Sequence, residues 1–201
     1  MNPKIDMIKL YQEQHPAVIG EVFRSSDTGK IIIYPEHIEG LSGSGATCRA
    51  GHDKPLELRV NPSKWNNSTS VPQGRDHQES IDLVYKLAER FGAQLDGTEK
   101  ITRLDVCQDF VLGNEQRMNR FIDDARRKVL ARQIVPVNYE FGLKVFSGNR
   151  RFRIYDKGRE IKHYLKKNSK KLLKHTRQEL RELSAWCIEN GVVRFETEYK
   201  S

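Results

Sequence analysis

The chain has 201 residues, 37% of them apolar and 31% charged, enough for one sizeable core or at most two small ones. No apolar run approaches the length that spans a bilayer, and the opening MNPKIDMIKL alternates polar and apolar residues where a signal peptide would be continuously apolar. A formal charge of +8 favours polyanionic partners, with nucleic acid the commonest.

In chain order, residues 4–11, 17–24 and 29–36 read as strands. The Gly/Ser-rich stretch GLSGSGAT leads into a hairpin whose second arm is 55–62. Residues 61–76, rich in Asn, Ser and Pro, read as a loop. Asp76 then caps an amphipathic helix to about Phe91, with Ile81, Leu83, Val84, Leu87 and Ala88 inward. A strand at 100–112 precedes a helix from Glu115 to Ala131, which turns Met118, Phe121, Ile122, Ala125 and Val129 to the core. Strands at about 137–147 and 150–157 join through the tight-turn sequence SGNR. A long basic helix follows from Gly158 to Glu189, ended by Asn190-Gly191, and VVRFETEYK is the last strand. The pattern predicts an α+β domain, a mostly antiparallel sheet with helices on one face and a polar active-site face on the other. One domain over 1–201 is expected. The abrupt end after the last strand reads as the N-terminal part of a longer protein.

Strand alternation puts Glu57 and Arg59 opposite Leu56, Leu58 and Val60, and Arg103, Asp105, Cys107 and Asp109 opposite Leu104, Val106 and Phe110. It also puts Arg151, Arg153, Tyr155 and Lys157 opposite Phe152 and Ile154, and Arg194, Glu196 and Glu198 opposite Val193 and Phe195. On three strands an acid stands two residues from an arginine. If those strands adjoin, Glu57, Asp105 and Glu196 can converge on one hard divalent cation, Mg²⁺ or Mn²⁺. Cross-strand salt bridges account for the same spacing equally well. Tyr155 stands among Arg153, Lys157 and that cation. Tyrosine ionises only near pH 10, and nearby cations favour its phenolate. A tyrosine packed at a strand end fits the same position.

The six histidines form no His-x-His pair, and no phosphate-binding loop or HExxH motif occurs. Three scattered cysteines make neither a disulfide framework nor a metal knuckle, and read as reduced, structural thiols.

Four segments in order resemble the gene II/X family of filamentous-phage replication proteins: IDMIKL, LELRVNPSKW, ITRLDV, and RIYDKGREIKHYL with GVVRFETEYK. The resemblance implies a rolling-circle initiator that nicks DNA at the phage origin and holds it through a 5′-phosphotyrosine. It further implies strand transfer to reseal the displaced circle, host helicase and polymerase as partners, and action in the bacterial cytoplasm. By the same resemblance Tyr155 is the nucleophile and Glu57, Asp105 and Glu196 are the metal ligands. Lys157 and Glu160 match the family's YxK…E positions and assist or orient. Tyr164, in YLKK, is the alternative nucleophile. Family members carry Gln-Gly-His-Asn after the NPxK stretch. Here Arg75 follows Gly74 and His77 is displaced, which makes it a candidate by position alone.

DNA contact is expected from Arg103, Arg153 and Arg194 on the sheet and from Lys166, Lys167, Lys170 and Lys171 along the basic helix. The rival reading is a non-catalytic basic DNA-binding regulator, which predicts metal-independent binding and no covalent product.

Overall fold

The fold is taken from a computed structural model, which describes residues 4–12, 23–24, 31–33, 46–51, 54–62, 77–90, 95, 97–131, 137–139, 141–170 and 174–201. These form ten strands and four helices in an α+β arrangement. Two compact units divide the chain, Asn2–Val106 with Tyr199–Ser201, and Cys107–Glu198.

The first unit holds β1 (Lys4–Gln12), β2 (Phe23–Arg24), β3 (Ile31–Ile33), β4 (Thr47–Gly51), β5 (Lys54–Val60), α1 (His77–Arg90) and the start of β6 (Lys100–Val111). Its strands lie in the order β2-β3-β4-β5-β1-β6, and every pairing from β2 to β1 is antiparallel. The even positions of β5, Leu56, Leu58 and Val60, share one face and meet Leu83, Val84, Leu87 and Ala88 of α1. Burying each Leu or Val contributes roughly 1.5–3 kcal/mol before entropy is counted. Ile81, expected inward, is 40% exposed, because the apolar stripe at 83, 84, 87 and 88 already faces the sheet. Of the strands expected at 17–24 and 29–36, Phe23–Arg24 and Ile31–Ile33 are observed. The rest of both segments, the cap at Asp76 and the 63–76 loop lie outside the described residues.

The second unit contains the end of β6, α2 (Glu115–Ala131), β7 (Val137–Tyr139), β8 (Gly142–Ser147), β9 (Arg150–Asp156), α3 (Lys157–Asn168), α4 (Lys174–Glu189) and most of β10 (Val192–Lys200). Its strand order is β6-β10-β9-β8-β7. Asn114 caps α2 by accepting from Arg117 N at 2.9 Å. Met118 and Ile122, one turn apart, bury against Val193, Ile154 and Phe195. Phe121 is more exposed than expected at 36%, with its ring 5.8 Å from that of Phe195.

Two segments differ from the sequence expectation. The strand expected at 137–147 is two strands, because the chain turns at Phe141 and β7 folds back on β8 with Val137 opposite Lys144. The single helix expected at 158–189 is the pair α3 and α4. Asn168 turns its amide onto Tyr164 O at 3.0 Å and Ser169 is the C-cap, so the helix stops there. Folding back lets Ile161 and Leu165 pack against Leu180, Leu183 and Cys187, burial that one straight helix would forgo. Gly158 makes this approach possible, since a Cβ there would lie 2.8 Å from Ser184 O and 2.6 Å from Ile188 Cγ1. Gly191, at φ +62°, takes the left-handed turn that leads from α4 into β10.

The helix pair has a further consequence for β10. Val193 faces α2, while Val192 packs with Ile161, Leu180 and Cys187 of α3 and α4. Helices therefore lie on both faces of this unit's sheet, and the acid-and-arginine side of β10 is not wet: Arg194 is 1% exposed, Glu196 5% and Glu198 1%. Charges buried in this way must be paired. Among the described residues, no helix is long and apolar enough to cross a membrane.

Candidate active site

Asp156 ends β9 and caps α3, its Oδ1 accepting from Arg159 N at 2.9 Å. This abrupt junction sets Tyr155 and Lys157 on either side of the strand-to-helix corner. Burial pushes the Asp156 carboxyl above the ordinary carboxylate range, and the Arg159 and Gly158 amides only partly counter it.

Tyr155 is 4% exposed and donates its hydroxyl to Glu196 Oε2 at 2.9 Å. Arg153, two residues back on the same face of β9, hydrogen-bonds the other oxygen of Glu196 and lies 3.9 Å from Glu198 Oε2. Arg151, one further step along, reaches Glu198 Oε2 at 3.2 Å. Three residues of one strand face thus meet two of the next, and Tyr155 and Arg153 share Glu196. Lys157 is 1% exposed and holds Glu160 Oε2 at 2.7 Å across one helical turn.

Arg194, expected on DNA, instead grips Asp109 of β6 with Nε at 2.6 Å and Nη2 at 2.7 Å. Burial works against its charge, but the Asp109 hydrogen bond and the nearby Tyr155 outweigh that and raise its pKa well above the ordinary value. Alternation had put Asp109 and Glu198 on this face, but their partners follow from strand order. Cys187 lies among Lys157, Asp109 and Arg194, and burial lifts its pKa to about 11.

In the other unit, Arg103 turns onto Asp105 of its own strand, Nε to Oδ1 at 2.8 Å and Nη2 to Oδ2 at 2.7 Å. Glu57 meets Lys9 of β1 at 2.7 Å. His77 opens α1 and is exposed. All three carboxylates expected as metal ligands are thus engaged by cations, Glu57 and Glu196 across strands and Asp105 within its own. Their oxygens suit a hard cation in type. No group of three or more His, Cys, Asp or Glu that could hold a metal occurs among the described residues.

Tyr164 is 36% exposed on α3. Lys166 and Lys167, in the last turn of α3, are exposed, as is Lys170 just beyond it. Lys171 lies outside the described residues. All three cysteines are buried and in no disulfide.

No curated protein matches this chain. A family profile for the N-terminal region of the gene II replication-associated protein matches residues 23–201. With nearly the whole chain covered, including the strands that carry Tyr155 and Glu196, the chain belongs to that family, the gene II replication proteins of filamentous phages.

Proposed function

We propose that this protein is a DNA nicking endonuclease and strand transferase, initiating rolling-circle replication at a phage origin through a 5′-phosphotyrosine at Tyr155. The observation that carries the reading is the Tyr155 hydroxyl hydrogen-bonded to Glu196 Oε2 at 2.9 Å, with Arg153 on the other oxygen of that carboxylate. In the proposed step Tyr155 Oη forms a bond to phosphorus and the bond from phosphorus to the 3′ oxygen breaks. Glu196 takes the phenolic proton, which the departing 3′ oxygen finally carries as a hydroxyl. Arg153 holds Glu196 in place for that transfer. Lys157 and Glu160, locked together at the start of α3, fix the corner from which Tyr155 projects. The phosphotyrosine conserves the energy of the broken bond, so a free 3′ hydroxyl can reverse the step and close the circle.

A divalent cation, Mg²⁺ or Mn²⁺ held by carboxylate oxygens, belongs to the same proposal. When bound it would neutralise charge on the attacked phosphate and stabilise the leaving oxygen. Exposed Lys166, Lys167 and Lys170 are proposed to track the DNA backbone. Host helicase and polymerase are the proposed partners, and the bacterial cytoplasm the proposed place of action.

The second reading, a non-catalytic DNA-binding regulator, is favoured by the burial of Tyr155, which must leave Glu196 before it can meet a phosphate. Incubation with supercoiled replicative-form DNA and Mn²⁺, followed by denaturation, separates the two. A covalent protein–DNA adduct, lost in Tyr155→Phe and kept in Tyr164→Phe, is the expected result. An adduct lost only in Tyr164→Phe moves the nucleophile there. No adduct, with salt-sensitive binding intact, leaves the regulator.

A further inference from the structure

The β8–β9 hairpin presents an exposed aromatic ring set among cations, on the strand face that also bears Tyr155. In the register of this pair Phe146 lies opposite Arg151, Lys144 opposite Arg153, and Gly142 opposite Tyr155. Residues opposite one another share a face, so Phe146, Lys144, Arg151, Arg153 and Tyr155 form one row. Phe146 is 48% exposed. Lys144 Nζ and the Arg151 guanidinium carbon each lie 4.9 Å from its ring centroid. Arg150, beside the turn, is exposed, no acid occurs from Phe141 through Tyr155, and Arg151, which reaches Glu198 Oε2 of β10 at 3.2 Å through one nitrogen, has five N–H donors in its fork.

From this arrangement we infer that Phe146 is a stacking platform for an unpaired base, with Lys144, Arg150 and Arg151 holding the neighbouring phosphates, and that it delivers single-stranded DNA to Tyr155. The inference rests on the reading of Tyr155 as nucleophile for its direction, though not for the binding itself. A half-exposed ring is poorly solvated on its face, a base face relieves this, and every base has one, so the platform tolerates any sequence. The long cations over the ring are flexible enough for one to yield the ring to a base and reach the adjoining phosphate. Duplex DNA keeps its base faces stacked and offers the ring nothing, which selects the single strand. From Arg151 to Tyr155 is four residues, about 13 Å of strand at roughly 3.3 Å each. That is about four stacked nucleotides at roughly 3.4 Å apiece, so the held base lies about four nucleotides from the phosphate that Tyr155 attacks.

The test uses the full chain carrying Tyr155→Phe, without divalent cation, so that binding is read apart from cleavage. A fluorescein-labelled oligothymidine of about 12 nucleotides and a duplex of equal length are titrated by anisotropy. Phe146→Ala is expected to weaken oligothymidine binding about tenfold and duplex binding less than about twofold. Phe146→Trp restores the affinity, and Phe146→Leu, of similar bulk without a ring face, does not. Arg151→Gln lowers the steepness of the salt dependence by about 0.7, the change expected when one phosphate of a single strand is no longer neutralised, while Phe146→Ala leaves it unchanged. Equal losses on single strand and duplex, or full affinity in Phe146→Leu, would overturn the proposal. Circular dichroism and a denaturation midpoint like that of the parent confirm that each variant is folded, and Phe146→Trp decides the matter if Phe146→Ala is not. A failed adduct assay alongside these binding results would remove Tyr155 chemistry and leave the platform.

Discussion

Tyr155 donates its hydroxyl to Glu196 Oε2 at 2.9 Å, from β9 to its neighbour β10, and both side chains are buried. A buried carboxylate that accepts from a phenol on one oxygen and an arginine on the other is held still, and can receive a proton without moving. Tyr155→Phe is expected to abolish adduct formation while lowering unfolding free energy by only about 1 kcal/mol, since one hydrogen bond is removed and the ring stays packed. Glu196→Gln keeps an acceptor for the hydroxyl but removes the base. It should slow single-turnover nicking by about 10²–10⁴-fold with DNA binding intact. Nicking at the parent rate in Glu196→Gln would assign the proton elsewhere.

Arg194 is buried and paired with part-buried Asp109, and removing that carboxylate takes away the guanidinium's bidentate partner. Asp109→Ala should cost about 3–5 kcal/mol in denaturant unfolding, because Arg194 at 1% exposure is left charged without its carboxylate. The double variant Asp109→Leu with Arg194→Met should recover most of that loss. A double variant no better than the single would mean that the cost lies in packing and not in the uncompensated charge.

Asp156 gives stability a pH dependence of definite sign. Its pKa is raised on folding, so between the ordinary value of 3.8 and the folded value the native state binds more protons than the unfolded one. Stability from this group is therefore fully present below about pH 4 and is lost as pH rises through the folded pKa. Asp156→Asn keeps a capping oxygen for Arg159 N and has no such titration. Relative to the parent, this variant should be more stable at pH 7 than at pH 3. A stability difference that stays flat over that range would rule the shift out.

Burial pushes the Cys48 thiol to about 12 and the Cys187 thiol to about 11. At pH 8 each thiolate is scarcer by about two orders of magnitude or more than in a free cysteine. Iodoacetamide should therefore label neither in the folded protein on a timescale that labels both in denaturant, as read by mass spectrometry of the digested chain.

Exposed Lys166, Lys167 and Lys170 stand at the end of α3 and just past it, where their charge also complements the helix C-terminus. Changing all three to Gln should weaken duplex DNA binding on any sequence and reduce the salt slope by about 0.9 for each phosphate left without its lysine. An unchanged slope would confine these lysines to the helix end.

Much of the secondary structure was legible because its signals are local. The period of Met118 and Ile122 and the alternation of Leu56, Leu58 and Val60 each need only a few neighbouring residues to be read. The break between α3 and α4 was not legible. The stretch KKNSKKLLK contains neither proline nor glycine, and the gain from stopping at Asn168 comes from leucines on the far side of the turn. The early fold-back at Phe141 was hidden for the same reason, since β7 is defined by its pairing with β8.

The candidate site divides along the same line. Alternation along single strands, a matter of backbone geometry, put Tyr155, Arg153, Arg194, Glu196 and Asp109 on polar faces, and the ordered segments pointed to the family. The choice of partners came from strand order and register. Arg194 takes Asp109 of β6 and leaves Glu196 to Arg153 and Tyr155 of β9, because β10 lies between those two strands. The helix pair then covers this face and turns what would have been screened surface charges into buried ones that must find partners. Periodicity is a property of a segment, whereas pairing and burial belong to the packed unit, where every neighbour is set by elements distant in the chain.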